Sequence, residues 1–299
     1  MARLRSPADT EIVLALNTGS STLKYGLYAV GAAEARELLA GAIETDTPDA
    51  ASFAQIETAI RSAGLPAPSA IGHRIVHGGP HLRAHCLVDA GVIAKLEAAL
   101  PFAPLHGPAA LALLRLAAAH FPDLPQVACF DTAFHVTLPE VAYVLPIPRA
   151  LRAEGVRRYG FHGLSCESIL DQLGAAVPDR LVIAHLGSGA SVTAVKAGRS
   201  IDTSMGLTPS GGIVMASRSG DLDPGVILYL LREKGLDPAA LETMLDRQSG
   251  MLGISGLSGD LRTLAQHEAD PDAQLAIRLF CYSVRKTIGA MIAVLGGAD

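Results

Sequence analysis

The chain has 299 residues, a formal net charge of −5 and 49% hydrophobic residues. That length suits two ordinary domains or one large one, with ample apolar material for a core. The acidic balance excludes a general nucleic-acid binder, which needs a basic face. The longest apolar stretch, 273–295, carries Arg278, Arg285 and Lys286, so no bilayer span is expected.

In chain order, the opening MARLRSPADTEIVLALN is too short and too interrupted for a secretory signal. Residues 12–16 (IVLAL) read as a buried strand, followed by a Gly/Ser turn and a second strand, LKYGLYAV. A helical pattern covers 51–64, a strand 70–76, helices 90–100 and 108–120, and a strand 125–130. PIPRALRAEG (146–155) places two prolines where any regular element would break, so a boundary is expected there, between domains 1–147 and 148–299. A helix follows at 165–173. Then LVIAHLGSGASVTAVKAGRS repeats the strand–turn–strand unit of the beginning, with its first strand at 181–184. Helices at 224–233, 238–247 and 273–295 complete the pattern. Interleaved strands and helices favour an α/β class. Cys86, Cys129, Cys166 and Cys281 form no C-x-x-C pair, which suits a reducing, cytoplasmic setting without structural zinc.

The two Gly/Ser turns hold the first chemical signal. Small side chains leave backbone N–H groups approachable, and Ser20, Ser21 and Thr22, or Ser188 and Ser191, add hydroxyl donors. This is anion-nest chemistry suited to phosphate, with Lys24 able to add a cation. A plain β-hairpin explains either turn alone; one turn of the same kind in each half favours two lobes gripping one polyphosphate. G-x-x-x-x-G-K-[ST] and G-x-G-x-x-G do not occur after a strand, which argues against a P-loop or dinucleotide fold.

Four further positions invite a choice. Arg74 lies in or at the end of an apolar strand, where a guanidinium is either a structural ion pair or an anion ligand. Arg218, in MASRSGDLDPG, poses the same choice beside the potential helix caps Asp221 and Asp223. Asp131 ends a buried strand, the place where α/β ligands bind, and reads as a Mg²⁺ or substrate carboxylate or as a helix cap. His162, in RRYGFHG, follows an aromatic in a glycine-flanked loop and reads as functional or structural. His73, His77, His81 and His85 are spaced by four, but Gly78, Gly79 and Pro80 break any helix that would align them, so no four-His metal site is expected.

The strings LNTGSSTLKYGLY, GHRIVHGG, PLHGP, FDTAFH, RRYGFHGLS, HLGSGASVTAVKAGRSIDTSMGLTP, SRSGDLDP and SGLSGDLR resemble the acetate kinase family, within the acetate-and-sugar-kinase/actin/Hsp70 fold. The resemblance implies a duplicated ribonuclease H-like α/β fold: an N-terminal actin-like ATPase lobe, a C-terminal nucleotide-binding lobe and a central cleft. It implies reversible transfer of the ATP γ-phosphoryl to acetate or another short carboxylate, with Mg²⁺ or Mn²⁺, in a cytoplasmic homodimer.

By matching position, it implies that Arg74, Asp131, His162 and Arg218 are catalytic, with the two arginines converging on one cleft between the lobes. Asn17, Ser20, Thr22 and Lys24 match the first phosphate loop; His185, Gly187, Ser188 and Gly189 match the second. Asp260, Leu261 and Arg262 match a nucleotide-contacting segment, Asn17 and Asp131 the metal site, and Val76, Leu105, Phe161 and Pro209 a small acyl pocket.

Some positions depart from the family pattern. Ser188 stands where Asn is usual, Gly107 where Asn is common, Cys166 where His is common, and TPSGG replaces T-P-L-E-G. The family pattern also continues past AVLGGAD into a strand and a Gly-Gly-x-Gly-Glu-Asn loop. The expectation is therefore a truncated member with an incomplete second lobe, an open sheet edge, and weak or no turnover alone. A catalytically silent nucleotide-binding remnant and a propionate kinase are the alternative readings.

Overall fold

The computed structural model describes residues 10–19, 22–31, 34–45, 48–104 and 106–299. The chain forms two compact units divided between Ala133 and Phe134.

Unit 1 opens with three antiparallel strands, β1 (Glu11–Thr18), β2 (Thr22–Val30) and β3 (Ala35–Glu44). After α1 (Ala50–Ser62) comes β4 (Ala70–Ile75), which pairs in parallel with β1. The short β5 (Cys86–Leu87), α2 (Ala90–Ala98) and α3 (Gly107–His120) lead to β6 (Gln126–Phe130), parallel to β4. The sheet runs in the order β3-β2-β1-β4-β6-β5. Strand alternation sends Leu14, Leu16, Leu23, Leu27 and Ile71 to one face, where they bury against Phe53 and Ile56 of α1 and Leu113 and Ala117 of α3. Each such large apolar side chain contributes about 1.5–3 kcal/mol by leaving water. Asn17 and Arg74 have the opposite parity to the buried Leu16 and Ile75 and lie off that core face. Asp49 and Asp89 cap α1 and α2 by accepting from the backbone N–H groups of Ser52 and Val92.

Unit 2 carries α4 (Glu140–Tyr143), α5 (Arg149–Ala153) and α6 (Gly163–Leu173), then a second antiparallel meander of β7 (Arg180–Leu186), β8 (Ala190–Lys196) and β9 (Arg199–Thr203). Its helices α7 (Pro224–Glu233), α8 (Pro238–Arg247), α9 (Gly250–Ser255) and α10 (Leu261–Ala265) precede the 25-residue α11 (Pro271–Leu295). α11 buries Ala273, Ala276, Phe280, Val284, Met291 and Leu295 on one stripe and packs on β8. Three helices start at an Asp-Pro pair, the Asp accepting from the first turn and the Pro contributing an N–H-free first residue. β7 and β9 are the sheet edges, and Leu275, Leu279 and Tyr282 of α11 remain exposed. Among the described residues, no helix is long and apolar enough to cross a membrane.

The division at Ala133 falls ahead of the 147/148 break expected from the prolines. The preceding strip is bonded into unit 2, because Arg158 donates from its backbone N–H to the Tyr143 carbonyl (2.8 Å) and from Nε to Ala142 (3.1 Å). PIPRALRAEG is itself partly helical, with Pro148 at the N-cap of α5. The expected helix over 90–100 stops at Ala98, where Pro101 turns the chain into a short 3₁₀ segment.

Candidate functional site

In unit 1, the Arg74 guanidinium organises the site. Its Nε donates to both Asp131 carboxylate oxygens (3.2 and 3.1 Å), and Nη2 donates to Oδ2 at 2.6 Å. Nη1 donates to Asn17 Oδ1 at 3.2 Å. Asp131 is 2% exposed and Arg74 keeps 36% of its side chain in solvent. Burial alone would lower the Arg74 pKa, but the hydrogen bonds and charge of Asp131 outweigh it and hold the guanidinium above its ordinary value.

Lys24 is exposed and faces Asn17 across the β1–β2 register. Thr22 Oγ1 donates to Glu44 Oε2 at 3.4 Å, and its carbonyl accepts from Gly19 N–H at 2.8 Å, closing the first turn. Val76 lines a crevice of about 10 Å³ with Leu100, Ala103 and His106, room for about one water. Ser20 and Leu105 lie outside the described residues.

Of the four spaced histidines, His73 Nε2 bonds Gln126 Oε1 (2.8 Å), His77 Nδ1 accepts from Gly79 N–H (2.8 Å) and His85 Nδ1 accepts from Phe130 N–H (3.0 Å). Three of the four thus serve the backbone or core. Among the described residues, no group of three or more His, Cys, Asp or Glu is placed to hold a metal on its own. A carboxylate and an amide oxygen, Asp131 and Asn17, nevertheless fit Mg²⁺, a hard ion bound through one or two protein oxygens plus water and phosphate.

In unit 2, the β7–β8 turn is the centre. Leu186 pairs with Ala190, and Gly187 N–H donates to Gly189 carbonyl at 3.2 Å. A Cβ on Gly189 would stand 3.3 Å from His162 Nε2 and 3.4 Å from Arg218 Nη1, so both groups reach the bare backbone of the turn. His162 stacks on His185 with ring centroids 4.0 Å apart. Serine hydroxyls fix the far edge of each ring, Ser191 at His162 Nδ1 (2.9 Å) and Ser165 at His185 Nδ1 (3.0 Å). Phe161 is fully buried beside them in the chain.

Arg218 Nη1 donates to the Pro209 carbonyl at 3.1 Å. Its loop is stapled at several points: Met215 N–H donates to Arg218 O, Ser219 N–H to Leu245 O, and Ser217 Oγ to Asp246 O. Gly250, at φ +63, makes this closure possible, since a Cβ there would lie 2.3 Å from Met215 O and 2.7 Å from Arg218 O. Gly250→Ala is expected to destabilise unit 2 by about 2 kcal/mol or more, from left-handed strain and overlap together. Urea unfolding of the variant measures it; a loss below about 0.5 kcal/mol would contradict the account.

Asp260, Leu261 and Arg262 open α10. Asp260 caps it by accepting from Arg262 N–H (2.8 Å), and this bond, with the Arg262 side chain, lowers its pKa. Gly259 packs on Ala216, whose N–H donates to Ser188 O at 3.2 Å, which ties this segment to the second turn. Asp223 caps α7, and Asp221 accepts from Gly212 N–H at 2.7 Å.

The structure therefore joins Asn17, Arg74 and Asp131 within unit 1, and His162, His185, Gly189, Arg218 and Pro209 within unit 2. Sequence reasoning passed over Ser165 as a partner of His185 and His135 beneath the His162 loop. Both partnerships cross 20 or more residues without a pattern to announce them.

Two glycine-turned meanders, one guarded by imidazoles and an arginine, and a mixed sheet of parallel and antiparallel strands make an α/β protein, as the resemblance to the actin-like sugar-kinase class implies. The profile of the acetokinase family matches residues 53–299, and the chain belongs to that family.

An acetate kinase of Nitrobacter hamburgensis is 50% identical over 78% of this chain and 58% of its own length. The chain thus spans less than two thirds of that relative. An acetate kinase of Rhodopseudomonas palustris is 43% identical over 97% of this chain and 81% of its own length. Among solved structures, acetate kinase of Porphyromonas gingivalis aligns with a TM-score of 0.83 at 34% identity over 97% of this chain and 81% of that one. A propionate kinase of Francisella tularensis aligns at 0.86 and 34% identity, over 97% and 82%.

Proposed function

We propose that the sites of this chain serve the acetate kinase reaction. A carboxylate oxygen of acetate attacks the γ-phosphorus of ATP, the bond from that phosphorus to the β,γ-bridging oxygen breaks, and acetyl phosphate and ADP leave; the reverse run regenerates ATP. The observation that carries the reading is the meeting of His162 Nε2 and Arg218 Nη1 at the side-chain-free Gly189. N–H donors and a fixed cation around an open backbone suit the equatorial oxygens of a phosphoryl group in flight.

Acetate is already ionised near neutral pH, so the reaction needs no general base. Asp131, tied to Arg74 by three hydrogen bonds, is better suited to orienting the guanidinium and holding a metal than to accepting a proton. Asn17 and Asp131 would hold Mg²⁺ or Mn²⁺, which when bound neutralises phosphate charge. Lys24, Thr22 and Ser20 serve the first phosphate loop, and His185, Gly187 and Ser188 the second, with the 260–262 segment near the nucleoside. The acyl-site roles of Val76, Leu105, Phe161 and Pro209 rest on their match to the family's motif positions. The protein belongs in the cytoplasm, which four cysteines outside any disulfide support, and it forms a homodimer, supported by the exposed apolar residues of α7 and α11.

The relation to a propionate kinase supports a second reading of the acceptor. One methylene is worth about 1–3 kcal/mol in an apolar site, so acetate and propionate should differ by no more than ~200-fold in kcat/KM. Trapping the acyl phosphate with hydroxylamine, over acids of increasing length with ATP and Mg²⁺, tests both readings. Hydroxamate from acetate or propionate supports a carboxylate kinase. Calorimetric ATP binding without any hydroxamate makes the chain a nucleotide-binding protein instead.

A further inference from the structure

We propose that His135 is a positioning residue for His162, holding the Gly160–Phe161–His162 segment through the Phe161 carbonyl so that the His162 imidazole stands at the 187–189 turn. The inference rests on the carboxylate kinase reading for its kinetic consequence, though not for its geometry.

His135 sits in a short 3₁₀ turn, Ala133–Thr137, and is 1% exposed. Its Nε2 lies 2.9 Å from the Phe161 carbonyl oxygen. A carbonyl only accepts, so Nε2 carries the proton. Its Nδ1 lies 2.9 Å from Ser200 Oγ and, in the neutral ring, accepts from that hydroxyl. Burial lowers its pKa from the ordinary 6.5 to about 4, so the ring stays neutral at working pH. It is not itself a proton donor to substrate.

The segment above this ring is strained. Gly160 has φ +76, and a Cβ there would fall 2.7 Å from His135 Cγ and 2.6 Å from Thr203 Cγ2. The chain can therefore lie directly on the imidazole only because residue 160 has no side chain. Two residues on, His162 takes φ 60 and ψ 23, one of two non-glycine residues with positive φ among those described. That conformation costs about 1–2 kcal/mol and persists only where the surroundings over-determine it. Here Gly160 is pressed on His135, the Phe161 oxygen is held by His135, the His162 carbonyl accepts from Cys166 N–H (3.0 Å), and the His162 Nδ1 bonds Ser191. The His135 hydrogen bond fixes the peptide immediately before His162. Ser200 is anchored in turn, its carbonyl accepting from Thr137 Oγ1 at 2.8 Å, so the imidazole is clamped from both sides.

The test has a part that needs no variant. Long-range ¹H–¹⁵N correlation of the wild-type histidines should show His135 as the Nε2–H tautomer, unchanged from about pH 5.5 to about pH 8.5. An Nδ1–H tautomer, or titration in that range, overturns the proposal. His135→Phe keeps the ring volume and removes the donor; His135→Gln restores an N–H near the Nε2 position. We expect His135→Phe to lower kcat by about 100-fold, as a misplaced reacting group does, with acetate and ATP KM within about 2-fold. His135→Gln should recover at least about 10-fold of that. His135→Phe with wild-type kcat and unchanged His162 ring resonances overturns the proposal. If the wild type forms no hydroxamate, the functional reading has failed, and movement of the His162 resonances in folded His135→Phe still decides the positioning role. If His135→Phe does not fold, the wild-type tautomer and His135→Gln decide it.

Discussion

Arg218→Ala is expected to lower kcat by about 10²–10³-fold, the loss seen when one preorganised donor to a developing charge is removed, while leaving the fold intact. Its Nη1 donates to the Pro209 carbonyl, and the loop is held as well by backbone and serine bonds that do not involve the guanidinium. Arg218→Lys keeps the charge but loses the planar fork, so it should recover only part of the rate.

Arg74→Ala should behave differently. It removes a cation and also strips the partner from Asp131, a carboxylate 2% exposed. Its rate loss is of the same order, and it is accompanied by lost stability. The stability term falls below the ~3–5 kcal/mol of a fully buried broken pair, because Arg74 is partly in solvent. Adding Asp131→Asn to Arg74→Ala should return stability without returning rate. Hydroxamate initial rates and urea midpoints on the wild type and these four variants separate the two effects. An Arg218→Ala enzyme within threefold of wild type would remove the basis of the phosphoryl-transfer reading.

The second large effect is on acid stability. His135 is buried and its pKa falls from 6.5 to about 4. His73, buried against Gln126 with its Nδ1 lacking a hydrogen-bond partner among the described residues, is lowered in the same direction by burial. The unfolded chain takes up protons at these rings below about pH 6.5, whereas the folded chain refuses them until lower pH. The unfolded state therefore binds more protons, and stability rises with pH through the window. The contribution is fully present above pH 6.5 and is lost as pH falls from 6.5 towards 4. For His135 that window is worth about 3 kcal/mol, at about 1.4 kcal/mol per pH unit. Urea unfolding from about pH 4.5 to about pH 7.5 reads the slope, and His135→Gln should flatten it. An equal slope in the variant would place the acid sensitivity elsewhere.

Much of the fold was legible because its elements announce themselves locally. Asp-Pro pairs start α7, α8 and α11, and β-branched runs mark β1 and β7. β3 escaped, since ARELLAGAIE alternates poorly and pairs only with β2. The short helices α4, α5, α9 and α10 escaped too, each being shorter than two full turns. At the site, the residue types were readable from motif strings, but their partners were not. Ser191 lies 29 residues from His162, Ser165 lies 20 from His185, and Phe161 lies 26 from His135. A hydroxyl or a carbonyl carries no periodicity by which a sequence could reveal such a partnership.

The parallel pairings of unit 1 bear on the order of assembly. The β1–β2–β3 meander closes through short connections, on a timescale of about microseconds for each hairpin. Asn17 and Asp131 each stand 57 residues from Arg74 along the chain, on opposite sides of it. Closing two such loops is entropically expensive and slow compared with the hairpins. The guanidinium therefore acquires its two oxygen partners only after both crossovers have docked, late in refolding, and substrate protection regained in a stopped-flow experiment should lag behind the recovery of strand signal.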